Sequence, residues 1–287
     1  MPKSFPTILL SVVWLWLGGG GNVLAQLDLR LETPKSSYLQ YAAIPVIVHL
    51  KNLGGSPLEL RERDGKPWME MIVQSIDGLL IRAERPLSPP EITLRPGEEK
   101  TLPLDLAPHF LVREPGAYRV RASALLPSGQ SLLTEPLPFL VGRGEVLWTQ
   151  PRGEGKDRRI FSILRFYEDP NLGIYLRVEV PGQNQVFPSH RLGPYLPLGN
   201  PTAEFDGDNH LFLLYALAPG QHRLTVVNQD GRVLREEDRQ ETLEKPRLVR
   251  SPDGQIDVQG GTVILPSHLR EKLSTLQGRS GTAPAAP

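Results

Sequence analysis

Long helical periodicity is nearly absent from this chain, and that limits the fold more than any other feature. In its place stand short apolar runs that alternate every second residue and are cut by turn residues. The 29 prolines and 27 glycines supply the punctuation. Alternation with period two gives a strand one buried and one wet face, so the pattern predicts an all-β protein. The 287 residues are enough for two domains, each with its own core.

Residues 26–143 read as one β-sandwich. Leu27, Leu29 and Leu31 share a face, and Ile44, Val46, Val48 and Leu50 point inward while Ile47, His49 and Lys51 point away. Asp77-Gly78 and Pro96-Gly97 mark hairpin turns. Tyr118, Val120, Ala122, Ala124 and Leu126 form another inward row, with Arg119, Arg121 and Ser123 opposite, and Leu137, Phe139 and Val141 close the domain.

The stretches "LRPGEEKTLPLDL" and "REPGAYRVRA" carry a resemblance. A Pro-Gly turn before a Tyr-x-Val-x-Ala strand resembles the late strands of bacterial Ig-like and fibronectin type III-like domains. The resemblance implies an Ig-like sandwich in which Tyr118 stands at the tyrosine corner, its hydroxyl tied to a neighbouring loop. The chain has no cysteine, so the Cys…Trp…Cys core of antibody domains is missing and only the looser class is implied. A fold follows from this resemblance, but no ligand does.

Residues 144–265 have a different rhythm. Two units, one beginning at Phe161 and one at Leu211, each read strand, turn, strand, turn, strand, with a shorter strand upstream. Their apolar anchors match roughly as Ile163 with Leu213, Leu176 with Leu224, Val178 with Val226 and Val186 with Val233. A third start, "PRLVRSPDGQIDVQGG", breaks off. These two and a half repeats resemble β-propeller blades in period, without WD or kelch consensus residues. They cannot close a ring, so a small sandwich or an open twisted meander is expected. Residues 266–278 have helical spacing at Leu269, Leu273 and Leu276 and predict a short helix, followed by a disordered tail at 279–287.

The start of the chain supplies an address. Lys3, an apolar run of about 13 residues and the Val23-Leu24-Ala25 end form the three parts of a secretory signal peptide, with cleavage before Gln26. The run is short against the roughly 20 residues needed to span a bilayer. The expectation is export to the periplasm or beyond, with no transmembrane segment in the mature chain. Lys and Arg total 32, as do Asp and Glu, so no general attraction to nucleic acid is expected. The lack of cysteine removes disulfides and thiolate chemistry.

One stretch, "FDGDNHLFLLY", places Asp206, Asp208 and His210 two residues apart. Alternating oxygen ligands suit a hard cation, but here a glycine separates the aspartates, and no distant Glu follows as in an EF-hand loop. Asp, Asn and Gly also make tight turns between strands. The turn is the favoured reading, and a metal site there is disfavoured. The adjacent Glu168 and Asp169 sit on the turn "EDPN" and cannot face one another across a substrate. Hydrolase, zincin, phosphate-loop and dinucleotide motifs are all missing. The second domain is rich in aromatics, and Tyr195, in the Pro- and Gly-rich loop "RLGPYLPLGNP", is the best candidate for an exposed ligand contact.

These features point to an exported, non-catalytic binding or structural module with no cofactor, whose partner is a protein or a polysaccharide. The alternatives are a carbohydrate-binding accessory protein, which needs exposed coplanar aromatics, and a hydrolase with a dispersed site. Association through an exposed strand edge is a further expectation.

Overall fold

The computed structural model describes residues 26–264. The expected signal segment, the 266–278 helix and the 279–287 tail lie outside the described residues. No described helix is long and apolar enough to cross a membrane. The described chain is all-β, with only two short 3-10 turns, at Gly155–Asp157 and Pro181–Gln183.

In the first unit a three-stranded antiparallel sheet runs in the order Leu27–Glu32, Pro45–Asn52, Glu99–Asp105. A larger sheet has the order Ser37–Leu39, Leu137–Gly142, Gly116–Leu125, Met69–Ser75, Leu80–Ile81. The inward rows read from the sequence meet in one core, in which Val46, Val48, Leu50, Val120, Ala122 and Ala124 are fully buried. Ser37–Leu39 pairs in parallel with Leu137–Gly142, carrying the chain from one sheet to the other. Tyr118 donates its hydroxyl to the carbonyl of Glu114 at 2.6 Å and stacks on Phe139, centroids 5.6 Å apart. A bond to the backbone four residues upstream is the geometry of a tyrosine corner. Trp68 is buried, and its indole N–H donates to the Pro90 carbonyl at 2.9 Å.

The second unit contains two antiparallel meanders. The first comprises Glu145–Arg152, Arg159–Tyr167 and Leu172–Val180, with Gln185–Val186 and His190–Pro194 along the far side of the last strand. The second runs Thr202–Phe205, Leu211–Ala218, Gln221–Val227, Val233–Gln240, and ends on Thr262–Val263. The meander is therefore not open: Phe161, Ile163 and Leu176 of the first sheet and Phe205, Leu211 and Leu213 of the second bury one another in a shared core. The third start is a separate hairpin, Arg247–Arg250 with Ile256–Gln259, which sets Val258 and Leu248 on the outer face of the second sheet.

That hairpin corrects the anchor matching. Ile163 and Leu213 are both in the shared core, but Leu224 and Val226 face the hairpin. The strand position opposite Leu213 is Thr225, fully buried, and opposite Leu211 is Val227. The equivalents of Leu176 and Val178 therefore lie one residue later than the sequence match. A bulge between Ala216 and Ala218 interrupts the register at the turn end of the same hairpin. With both faces of Gln221–Val227 buried, alternation no longer says which row is inward.

The charged strand Val233–Gln240 pairs along its length with Gln221–Val227, but on its outer side only Arg239 and Gln240 are paired, to Val263 and Thr262. Arg235 and Arg239 both reach Glu237, at 2.9 and 2.6 Å, which lines the open part with charge.

Candidate functional site

The two units meet without a linker. Leu39 and Ala42 of the first pack on Leu164 and Tyr175 of the second. At Gly142 a Cβ would lie 2.7 Å from the Phe166 ring, so only glycine allows this approach. Backbone groups also join the seam. Ser189 N–H donates to the Tyr41 carbonyl at 2.7 Å, and Arg177 donates to the Gln40 carbonyl at 2.9 Å while its guanidinium lies over the Tyr41 ring.

Glu168 is the electrostatic centre of this seam. The strand Arg159–Tyr167 ends one residue before it, and the loop turns its side chain inward until 3% remains exposed. Lys35 of the first unit lies 2.8 Å from its Oε1. Arg191 donates from Nε to both carboxylate oxygens, at 2.9 and 2.8 Å, and its Nη2 lies 2.8 Å from Oε2. Tyr175 donates its hydroxyl to Oε1. Burial pushes the carboxyl pKa up, but the bonds from Arg191, Lys35 and Tyr175 outweigh it and hold the group below its ordinary value. Burial and the neighbouring carboxylate push the Tyr175 hydroxyl far up. Glu168 is therefore an ionised acceptor and Tyr175 a neutral donor. The neighbouring Asp169 is exposed and takes no part beyond a 3.3 Å contact with the Tyr167 hydroxyl.

Beside this cluster the seam opens into a cleft of about 860 Å³. One wall, from the first unit, carries Lys35, Tyr41, Arg85, Leu111 and Arg113, and the other, from the second, carries Gln185, His190 and Arg191. Its volume falls within the range of small-ligand sites, which favour domain interfaces. The sequence marks none of these residues as a group, because they come from loops and strand ends far apart in the chain. The closest signal is Arg177, a charged residue within the apolar strand Leu172–Val180.

Tyr195, expected to be exposed, is buried instead. It belongs to the core shared by the meanders, 6% exposed, and its hydroxyl donates to the Gly199 carbonyl at 2.9 Å. The Pro- and Gly-rich loop folds back over the ring rather than presenting it. Phe161, Tyr175 and Tyr215 are also buried, so the second unit's aromatics serve its interior; Tyr167 is the exposed exception.

Asp206, Asp208 and His210 do come together, with potential ligand atoms within 4.8 Å of one another. Asp206 Oδ1, however, accepts the backbone N–H groups of Asp208 and His210, at 2.9 and 2.8 Å, and its Oδ2 lies 3.0 Å from His210 Nδ1. This is an aspartate holding its own turn, with Asn209 in the left-handed region at φ 61°. Replacing Asp206 and Asp208 together by Asn keeps the Oδ1 acceptor, so stability should change by less than about 1 kcal/mol. Calcium or zinc should leave the melting temperature of the natural chain unchanged. A metal-dependent rise lost in the double variant would establish a site here, because a ligand stabilises the state it binds.

No protein-family model matches the chain, and no curated protein matches it significantly. Similar solved structures include a CARDB domain from Pyrococcus furiosus, 20% identical over 40% of this chain and 87% of that one, with a TM-score of 0.27. The sporulation control protein Spo0M of Bacillus subtilis is 10% identical over 57% of this chain and 84% of its own, TM-score 0.31. The E. coli chaperone DraB is 10% identical over 73% of this chain and 96% of its own, TM-score 0.26. All three are too distant to extend what those proteins do to this chain.

Proposed function

We propose that this is an exported, non-catalytic binding module: an Ig-like sandwich and a blade-like repeat unit locked together, with the ligand held in the cleft between them. The observation that carries the reading is the cleft itself, built on a seam whose one fully buried carboxylate is held by three donors. Glu168 has no proton to give at neutral pH, and Lys35 and Arg191 are held by its charge. Such a cluster sets the angle between two β units and keeps the cleft walls at fixed spacing, as preorganised recognition requires. Burial of Tyr195 removes the best aromatic contact from the carbohydrate-platform alternative. The charged edge at Val233–Gln240 favours a cleft ligand over edge-to-edge association.

Export and binding are tested on one preparation. The tagged protein is recovered from the periplasm and medium of its native host, with Ala43→Trp beside it. Ala43 is exposed on the cleft wall, so the indole should fill the cavity and leave the core alone. Intact mass should begin at Gln26. The partner or small molecule that co-purifies with the natural chain should be lost from the variant. Retention of residues 1–25 would overturn the address, and equal recovery from both chains would overturn the cleft.

A further inference from the structure

The cleft has more donors to offer than acceptors. Four cationic side chains line it, Lys35, Arg85, Arg113 and Arg191, against two carboxylates, Glu84 and Asp105. Asp105 Oδ1 already accepts the N–H groups of Ile44 and Ala107, at 2.7 and 3.0 Å. Glu84 lies 3.6 Å from Arg113. Glu168, behind the wall, is filled by Lys35, Arg191 and Tyr175. Among the described residues, Arg85 has no side-chain hydrogen bond or ion pair, and Arg191 Nη1 has none either, although Nε and Nη2 of the same guanidinium are engaged. His190, exposed beside Arg191 on the cleft wall, is in the same position.

We infer that the cleft takes an anionic ligand, one presenting carboxylate or phosphate oxygens to Arg85 on one wall and Arg191 on the other. The inference rests on the cleft being the binding site and adds the chemistry it selects. A guanidinium is a planar fork of N–H donors that bonds two anionic oxygens at once. Arg85 has its whole fork open, whereas Glu168 already fills one edge of the Arg191 fork and leaves its Nη1 to add a further bond. Tyr41 and Leu111 give the same cavity apolar surface, so the ligand should carry a hydrophobic or sugar-ring body beside its charge.

Calorimetric titration of the full chain tests this with three probes: trigalacturonate for carboxylate, inorganic pyrophosphate for phosphate and maltotriose as the neutral control. At least one anionic probe should bind, with affinity falling as salt is raised, and maltotriose should bind much more weakly. Whether trigalacturonate or pyrophosphate binds better identifies the source of the oxygens. Arg85→Glu, an exposed site with no partner to lose, should weaken the anion about tenfold or more while the melting temperature holds. Unchanged affinity in Arg85→Glu overturns the inference, as does failure of both anions to bind. If maltotriose binds at least as tightly as the anions and Ala43→Trp abolishes it, the cleft binds another chemistry: the anion inference falls and the proposed function stands. If no probe binds and Ala43→Trp also leaves the co-purified partner in place, both fall.

Discussion

Phe205→Ala should destabilise the protein by about 3–5 kcal/mol, the cost of deleting a fully buried aromatic ring from a packed core. Phe205 ends the strand Thr202–Phe205 and is 2% exposed. Its ring meets Phe161 edge-on at 4.9 Å and lies 6.1 Å from Trp148, both on the opposite meander, while the Arg152 guanidinium sits 4.4 Å above it. The side chain is a knob from one sheet set in the other. Each sheet is held by its own hydrogen-bond ladder, so neither can readily collapse into the space left behind, and the cavity term should be near its full size. Phe205→Leu, which keeps much of the volume, should cost less than about 1.5 kcal/mol. Denaturant unfolding followed by tryptophan fluorescence measures both. A loss below about 1 kcal/mol for the alanine variant would mean that the two meanders do not share a core.

Glu168→Ala should cost about 2–4 kcal/mol at pH 7. Removing one partner of a buried ion pair generally costs about 3–5 kcal/mol because a charge is left uncompensated. Here the remaining charges are partly wet, with Lys35 29% and Arg191 39% exposed, so some of that loss is recovered by water. The buried Tyr175 hydroxyl has no such escape and loses its acceptor, worth about 1–3 kcal/mol. The pH dependence identifies the charge as the cause. The folded-state pKa of Glu168 is lowered from 4.5, so the unfolded chain takes up the proton first as pH falls. Its contribution is complete above pH 4.5 and disappears as pH drops through the folded value. The gap between natural chain and variant should therefore be constant from pH 6 to 8 and narrow below pH 4.5. A gap that stays constant into strong acid would assign the loss to packing alone. Because the cluster spans the seam, the variant should also show faster proteolysis near Gly142–Glu145, where the units join.

Much of the first unit was legible in the chain. Ile44 to Leu50 and Tyr118 to Leu126 alternate strictly, because each strand there has one core face and one outer face. Tyr118 was legible for a related reason: a tyrosine corner bonds its own backbone four residues upstream, so all its parts are local. The turn at Asp206 was legible on the same ground, since its acceptor and donors lie within five residues.

The second unit was legible only as strands and turns. The two repeats could be read from residue spacing, because pleat and hydrogen-bond pattern are properties of neighbouring residues. Tertiary structure decided everything that depends on which faces meet. It closed the two meanders on each other and turned the third start into a hairpin over Leu224 and Val226. It folded the Tyr195 loop inward. It also brought Lys35, the Glu168–Tyr175 hairpin and Arg191 together from three separate stretches of chain. An apolar or charged side chain specifies that it needs a partner of a given kind. Burial and Coulomb energies depend on distance in space and carry no record of separation along the chain, so the identity of that partner is set only when the chain is folded.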